Sequence, residues 1–158
     1  MDLQTEIERV RAQEAALACP AFGAAQAWEL GVALREAALA RQVGLCIEVR
    51  LSANTVFLCA MPGTSPSNAD WLRRKRNVVE LLGRSSYGVG LQMALEKTSL
   101  ADKMGLPLRD YASHGGCLPL RDASGTVWGS VGVSGLPQLQ DHELVAEVLG
   151  ARLAKVRA

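Results

Sequence analysis

The residues best suited to chemistry lie in a glycine-rich segment, 114–145, which holds both histidines of the chain. His114 precedes Gly115 and Gly116, and glycines leave room for a ligand to approach both the imidazole and the main chain. Neither histidine has a second His or Cys at ligand spacing, so we predict no metal site built by the protein alone. A ligand-contacting His114 and a purely structural His114 both stay open at this stage.

Two other side chains of this segment are weaker candidates. His142 follows Asp141, which we expect to cap the last helix, so His142 either contacts a ligand or lies exposed in the first helical turn. Cys117 has no neighbouring base in the sequence that would lower the pKa of its thiol, which argues against a reactive cysteine. The serine-hydrolase pattern G-x-S-x-G is missed, because Leu136 stands where its second glycine would be.

Four consecutive basic residues, RRKR at 73–76, lie in a stretch with helical periodicity. Successive helical residues point about 100° apart, so these cations do not form one flat patch. Arg74 and Lys75 are candidates for binding a ligand carboxylate through charge-assisted hydrogen bonds. The alternative is a solvated helix face that forms salt bridges in an oligomer. A nucleic-acid site is least favoured, because the net charge of the chain is only +1.

Composition limits the class of protein. A chain of 158 residues, 49% hydrophobic and 21% charged, is expected to fold as one domain over 1–158 with its own core. No apolar run approaches the roughly 20 residues that span a bilayer. The N-terminus carries alternating charges where a secretory signal would be apolar. We therefore expect a cytoplasmic protein with no nucleic-acid or membrane partner.

The periodicity of apolar residues predicts helices combined with antiparallel hairpins, an α+β fold. Predicted helices cover 1–18, 25–42, a stretch after residue 70 that Gly83 and Gly88 kink or divide, 99–105, and the last segment from Asp141. Predicted strands cover 43–51, 56–61, 116–121 and 126–134. Asn68 or Asp70 is expected to cap the long central helix.

The last predicted strand has two different faces. Alternation of side chains sends Val127, Gly129, Val131 and Val133 to a core face, and Trp128, Ser130, Gly132 and Ser134 to the opposite face. The second face is small and polar apart from its tryptophan. It therefore accommodates either a closely packed helix or a ligand.

Three stretches carry a resemblance to a known family: NADWLRRKRNVVELLGRSSYGVGL, YASHGGCLPL and GSVGVSGLPQLQDHELV. They resemble the stand-alone, uncharacterised family of the haem-degrading-domain, or GlcG-like, superfamily, over nearly the whole chain from residue 27 onward. The resemblance implies a profilin-like fold, with a five-stranded antiparallel sheet, helices on both faces, and a fifth strand within 106–114. It also implies a homo-oligomer that binds haem or a corrinoid-type tetrapyrrole.

The leading hypothesis is a cytoplasmic, homo-oligomeric module that binds a small anionic ligand, with haem as the best single candidate. Arg74 and Lys75 would pair with propionate groups, and His114 would approach the iron or the ring. The expected ligand-binding residues are Arg74, Lys75, His114, Gly115, Gly116, Gly132, Ser134 and His142. Two alternatives stay open: an oligomeric scaffold that docks other proteins without a small ligand, and a haem-dependent oxidative enzyme.

Overall fold

The structure, a computed structural model, describes residues 2–157. Its helices are α1 (Leu3–Ala16), α2 (Ala24–Ala40), α3 (Pro66–Leu82), α4 (Ser86–Leu95), α5 (Leu100–Met104) and α6 (Gln138–Arg157). Its strands are β1 (Cys46–Leu51), β2 (Asn54–Ala60), β3 (Cys117–Arg121) and β4 (Val127–Ser134). None of the described helices is both long and apolar enough to cross a bilayer. The expected α+β combination of helices and hairpins is confirmed.

The sheet has four strands in residues 2–157, in the order β2-β1-β4-β3, and every neighbouring pair is antiparallel. The expectation of a fifth strand within 106–114 is therefore wrong. That segment contains Pro107, whose carbonyl accepts hydrogen bonds from the N–H groups of Asp110 and Tyr111 in a turn. The N–H of Ala112 then donates to the carbonyl of Arg74. Its backbone is thus committed to a turn and to α3 rather than to the sheet.

Helices cover both faces of the sheet, and the main core lies on one of them. α2 and α6 pack there against the inward side chains of the strands, where alternation in β1 sends Ile47 and Val49 inward. Representative fully buried members of this core are Leu30, Leu34, Ile47, Val49, Val133, Leu144 and Leu149. α3 lies on the opposite face, and with α4 and α5 it encloses a smaller cluster of Val78, Val89, Met93 and Leu100.

The central helices begin and end at local signals. Gly83 has a φ of 67° and ends α3, so the alternative of two helices, rather than a kink, is the one observed. Ser65, not Asn68 or Asp70, is the N-cap of α3, because Pro66 occupies the first helical position. The Asn68 side chain instead accepts a hydrogen bond from the Ser65 N–H.

A bulge in the β3–β4 pairing changes which β4 side chains reach the core. Leu120 lies opposite Gly129, but the next residue of β3 lies opposite Val127, so Trp128 is the extra residue. Side-chain alternation reverses at such a bulge. Trp128 therefore packs against the main core, and Val127 is 37% exposed on the α3 side.

The predicted faces of β4 are thus right in one half of the strand and wrong in the other. Val131 and Val133 are fully buried in the main core, as expected. Val127 and Trp128 lie on the faces opposite to those predicted, because Trp128 is an extra residue between Val127 and Gly129. The Trp128 Nε1 donates to the carbonyl of Cys19, which fixes the ring against the segment between α1 and α2.

Candidate functional site

A cleft opens where the first half of α3, the loop before β3 and the segment between β4 and α6 meet. Its volume is about 270 Å³. Its walls are Asn68, Trp71, Lys75, His114, Ser134, Gly135, Leu136, Gln138 and Asp141. A second depression of about 350 Å³ lies beside it, lined by α4 together with Thr98, Ser99 and Ser113. His114 and Gln138 line both, so the His114 ring stands between the two depressions.

His114 is exposed, and neither nitrogen of its ring hydrogen bonds to another residue within 2–157. Its ring meets the Trp71 ring edge to face, with 5.3 Å between the ring centroids. Partial desolvation lowers the pKa of His114, and the nearby charges of Lys75 and Arg74 lower it further. The imidazole is therefore neutral at pH 7, the form that binds metal ions through a ring nitrogen.

Trp71 also holds Arg74. The guanidinium carbon of Arg74 lies 4.6 Å from the centroid of the Trp71 ring, a cation–π contact. Arg74 Nη2 donates to the carbonyl of Leu108 at 2.6 Å, which holds the side chain against Trp71, next to the residues that line the cleft rather than among them. The contact follows from helix geometry, because residues three apart in α3 lie on the same side of the helix.

Lys75 forms the polar floor of the cleft. Its ammonium donates to the Asp141 carboxylate at 3.1 Å and to the Val133 carbonyl at 3.2 Å, and the residue is 4% exposed. Lys75 is thus not a free cation at the rim, as the sequence suggested, but one half of a buried ion pair.

Asp141 is the other half of this ion pair, and burial raises the pKa of its carboxyl. The carboxylate also accepts hydrogen bonds from the N–H groups of Gly135 and Leu136. Asp141 was expected to cap the last helix, but α6 already begins at Gln138. Its carboxylate instead fixes the segment that leads into α6.

Protein atoms occupy the space beside the three glycines that were expected to admit a ligand. Gly116 has a φ of 135°, and a Cβ there would lie 2.6 Å from the Val133 carbonyl oxygen and 2.7 Å from Lys75 Nζ. A Cβ at Gly132 would lie 2.9 Å from the Leu72 side chain of α3. A Cβ at Gly115 would clash with the carbonyl oxygen of Gln138. These glycines allow close packing of the chain against itself, and their expected role in admitting a ligand stays a prediction.

The remaining expected site residues divide into two groups. Ser134 is buried and lines the cleft together with His114 and Lys75. His142 lies outside both depressions and is 0% exposed, so neither the ligand contact nor the exposed position fits it. Its Nε2 lies 2.7 Å from Gln13 Oε1, and burial lowers its pKa. Cys117 is also buried, and burial raises the pKa of its thiol, which keeps it protonated.

Several cleft residues were not among the expected ligand contacts. Trp71, Asn68 and Gln138 all line the cleft, and the Gln138 side chain accepts a hydrogen bond from the N–H of Gly115. The spacing of Trp71 to Arg74 and Lys75, three and four residues along one helix, was a usable signal for Trp71. The same spacing applies to Asn68, which lies three residues before Trp71 in α3. Gln138, the first residue of α6, had no such signal, because only the fold brings the start of α6 beside α3.

Comparison with known proteins places this geometry in context. The UPF0303 protein of Azotobacter vinelandii is 50% identical over 153 residues, which cover 97% of this chain and 92% of the relative. The crystal structure of the Ybr137w protein superposes with a TM-score of 0.88 at 22% identity, covering 96% of this chain and 90% of that one. The crystal structure titled PduOC:Heme Complex has a TM-score of 0.67 at 18% identity, covering 85% and 94%.

The two structural likenesses establish the fold alone, since both identities are low. The family model described as haem degrading protein HbpS-like matches residues 22–150. That match confirms the resemblance found in the sequence. The chain belongs to the HbpS-like family.

Proposed function

We propose that this protein binds a planar anionic ligand, haem or a related tetrapyrrole, in the cleft around His114. The observation that carries the proposal is the state of His114: exposed, without a hydrogen-bond partner in residues 2–157, and held neutral between two depressions. Membership of a family described as haem degrading, and a neighbour crystallised as a heme complex, support the choice of ligand.

The residues around the cleft fit the parts of such a ligand. His114 would offer a neutral ring nitrogen to the metal, because nothing else in the described chain binds it. Trp71 offers an aromatic wall beside it, 36% exposed. Aromatic rings stack favourably on flat ligands of this kind.

Arg74 is the better candidate for a ligand carboxylate. Within residues 2–157 only its Nη2 donates to a protein acceptor, the Leu108 carbonyl; its Nε is buried, and the other N–H groups of the guanidinium are left for a ligand. Lys75 would act indirectly, because its ammonium is already bound to Asp141 and Val133. In this proposal Lys75 and Asp141 keep the floor of the cleft polar and in place, and Ser134 lies beside them.

A homo-oligomer and a cytoplasmic location remain part of the proposal. The alternative of a docking scaffold without a small ligand would leave His114, Trp71 and Arg74 with no common purpose. An oxidative enzyme would require further groups that transfer protons beside the ligand. The binding function is therefore the one that the contacts of the cleft support best.

The direct test is a titration of the purified protein with hemin, followed by visible absorption. We expect saturation at a fixed stoichiometry with a shift of the Soret band, and loss of the shift in His114→Ala. Arg74→Ala should weaken binding, whereas Arg11→Ala, an exposed arginine on α1, should leave it unchanged. Absorbance that rises linearly and ignores His114→Ala and Arg74→Ala would contradict the proposal.

A further inference from the structure

A third cavity lies between α2, the second half of α6 and the segment that joins α1 to α2. Its volume is about 380 Å³, which exceeds that of either depression beside His114, and it shares no wall residue with them. The apolar side chains of its wall include Phe22, Leu30, Leu149, Leu153 and Val156. Pockets that bind small molecules commonly have this size, mostly apolar walls and a few polar groups.

The segment that forms one wall of this cavity is fixed by the sheet. The N–H of Cys19 donates to the Arg121 carbonyl of β3 at 2.9 Å, and the Cys19 carbonyl accepts a hydrogen bond from Trp128 Nε1 of β4 at 3.2 Å. The Phe22 ring meets the Trp128 ring edge to face, with 4.5 Å between the centroids. The cavity is therefore a preformed part of the fold, so a ligand would not have to order this wall on binding.

An ion pair of α6 and α2 is the charged part of the wall. Arg152 Nη2 donates to the Glu29 carboxylate at 2.5 Å, and the two side chains are 31% and 58% exposed. The structure shows no second acceptor for the Arg152 guanidinium within residues 2–157. Exposed ion pairs contribute little to stability, so a carboxylate that is held on the apolar side can replace Glu29 at the guanidinium.

We propose that this cavity binds a small apolar monocarboxylate, a ligand distinct from the one in the cleft around His114. The apolar body of the ligand lies among Leu149, Leu153 and the other apolar side chains, and its carboxylate binds Arg152. A ligand ammonium would instead have to bind Glu29 and leave Arg152, the more enclosed of the two charged groups, without a partner. Glu29 is the more exposed, so it can turn into water when the ligand carboxylate takes its place.

The test is a calorimetric titration of the purified full chain with hexanoate, octanoate and decanoate, each below the concentration at which it forms micelles. Each additional buried methylene group should lower the dissociation constant about fourfold until the cavity is filled. Octan-1-ol has the same chain length as octanoate but no charge, so it should bind more weakly.

Variants of the ion pair test the charged end of the site. Arg152→Gln should weaken octanoate binding about tenfold or more and leave the affinity for octan-1-ol unchanged. Glu29→Gln should strengthen octanoate binding, because it removes the competing carboxylate. The matched control is Arg41→Gln, which breaks an exposed ion pair between Arg41 and Glu147 of α6 that does not line the cavity. Both ion pairs are exposed, so the far-UV circular dichroism of all three variants should match the wild type.

Methyl signals in nuclear magnetic resonance spectra locate the bound chain. Octanoate should shift the methyl signals of Leu149 and Leu153 to saturation, because both side chains line the cavity. His114→Ala should leave these shifts and the octanoate affinity unchanged, since His114 lies outside the cavity. The monocarboxylate site and the tetrapyrrole site can therefore fail separately.

Four outcomes would overturn the proposal. The first is octanoate and decanoate binding that does not saturate, or that is independent of chain length. The second is an octanoate affinity that is unchanged in Arg152→Gln, or that falls equally in Arg41→Gln. The third is an octanoate affinity that does not rise in Glu29→Gln. The fourth is loss of octanoate binding in His114→Ala with unmoved Leu153 signals, which would place the carboxylate in the cleft.

Discussion

The surroundings of the two histidines differ in almost every respect. His114 is exposed beside Trp71, and its ring nitrogens bind no other residue in the described chain. His142 is fully enclosed where α1, α4 and α6 meet, with Gln13 at its Nε2 and the Tyr87 ring 4.9 Å away. Desolvation lowers the pKa of both rings. The same shift thus arises at an open site and at a packed one.

The contrast shows that a lowered pKa by itself does not mark a functional histidine. What separates the two is the space around the ring nitrogens. His142 has its Nε2 bound to Gln13 and its Nδ1 buried without a hydrogen-bond partner in residues 2–157, whereas the His114 ring faces an open cleft. We therefore assign ligand binding to His114 and stability to His142.

The largest loss of stability is expected when the buried ion pair at the floor of the cleft is broken. Lys75→Met removes one partner of the buried ion pair and leaves the Asp141 carboxylate without its cation. Breaking a buried pair in this way costs about 3–5 kcal/mol of unfolding free energy. Urea denaturation provides the measurement. The control is Lys103→Met, which breaks an exposed ion pair with Glu96 and should leave the unfolding free energy unchanged. Equal losses of stability in both variants would show that burial of the Lys75 pair is unimportant.

The second-largest effect is a difference in unfolding free energy between variants at the two histidines. His142→Ala leaves a cavity in a fully buried site and removes the contact with Gln13, so we expect a loss of about 2–4 kcal/mol. His114→Ala changes an exposed residue and should stay within about 0.5 kcal/mol of the wild type. Thermal and urea unfolding of both variants measure the difference. A loss at His114 as large as that at His142 would contradict the division.

The pH dependence of the unfolding free energy should reflect the titration of the buried His142 ring. The pKa of His142 is lower in the folded state than its ordinary value of 6.5, so the unfolded chain binds the proton more readily. The contribution of neutral His142 to the unfolding free energy is complete above pH 6.5, and it is lost as the pH falls from 6.5 through the folded-state pKa of His142. One such group gives a slope of at most about 1.4 kcal/mol per pH unit.

Unfolding measured between pH 5 and 8 in the wild type and in His142→Gln tests this slope. The lowered pKa of Glu6 acts below this range, from 4.5 downward. The raised pKa of Asp141 gives a slope of opposite sign and the lowered pKa of His114 a slope of the same sign, but both groups are present in both proteins and cancel in the comparison. An identical pH dependence in the two proteins would show that His142 does not control it.

The smallest effect lies at the rim of the cleft. Trp71→Ala removes the ring beneath Arg74, and a double-mutant cycle with Arg74→Ala should give a coupling of about 0.5–1 kcal/mol in stability. The same cycle measured on hemin affinity should show a larger coupling, because the ring positions the guanidinium for the ligand. Additive effects on both stability and affinity would mean that the two side chains act separately.

Local signals made much of the fold predictable from sequence. Gly83 and Gly105 end helices at φ values of 67°, where glycine is favoured. The end at Gly105 was predicted, and at Gly83 a kink and a helix end had both been left open. The two hairpins followed from alternation and turn residues. The bulge at Trp128 was not predictable, since it depends on how β3 meets β4 rather than on either strand alone.

The site was predictable only in its exposed part. His114 was identified because it stands beside glycines, although those glycines turned out to serve packing. The role of Lys75 was missed because its partner Asp141 lies 66 residues away in sequence, and only the fold brings them together. Contacts between distant segments of the chain decide which charged side chains are left without a protein partner. Composition and spacing in the sequence do not show these contacts.

The most direct test of the central claim uses the fact that the chain has only two histidines. Protein labelled with ¹⁵N in histidine gives ring signals from both, which His114→Ala assigns. Titration with gallium protoporphyrin, which is diamagnetic, then shows which ring meets the ligand. The account predicts that the His114 ring signals shift to saturation while those of His142 stay in place. Unchanged His114 signals at saturating porphyrin, or a shift confined to His142, would contradict it.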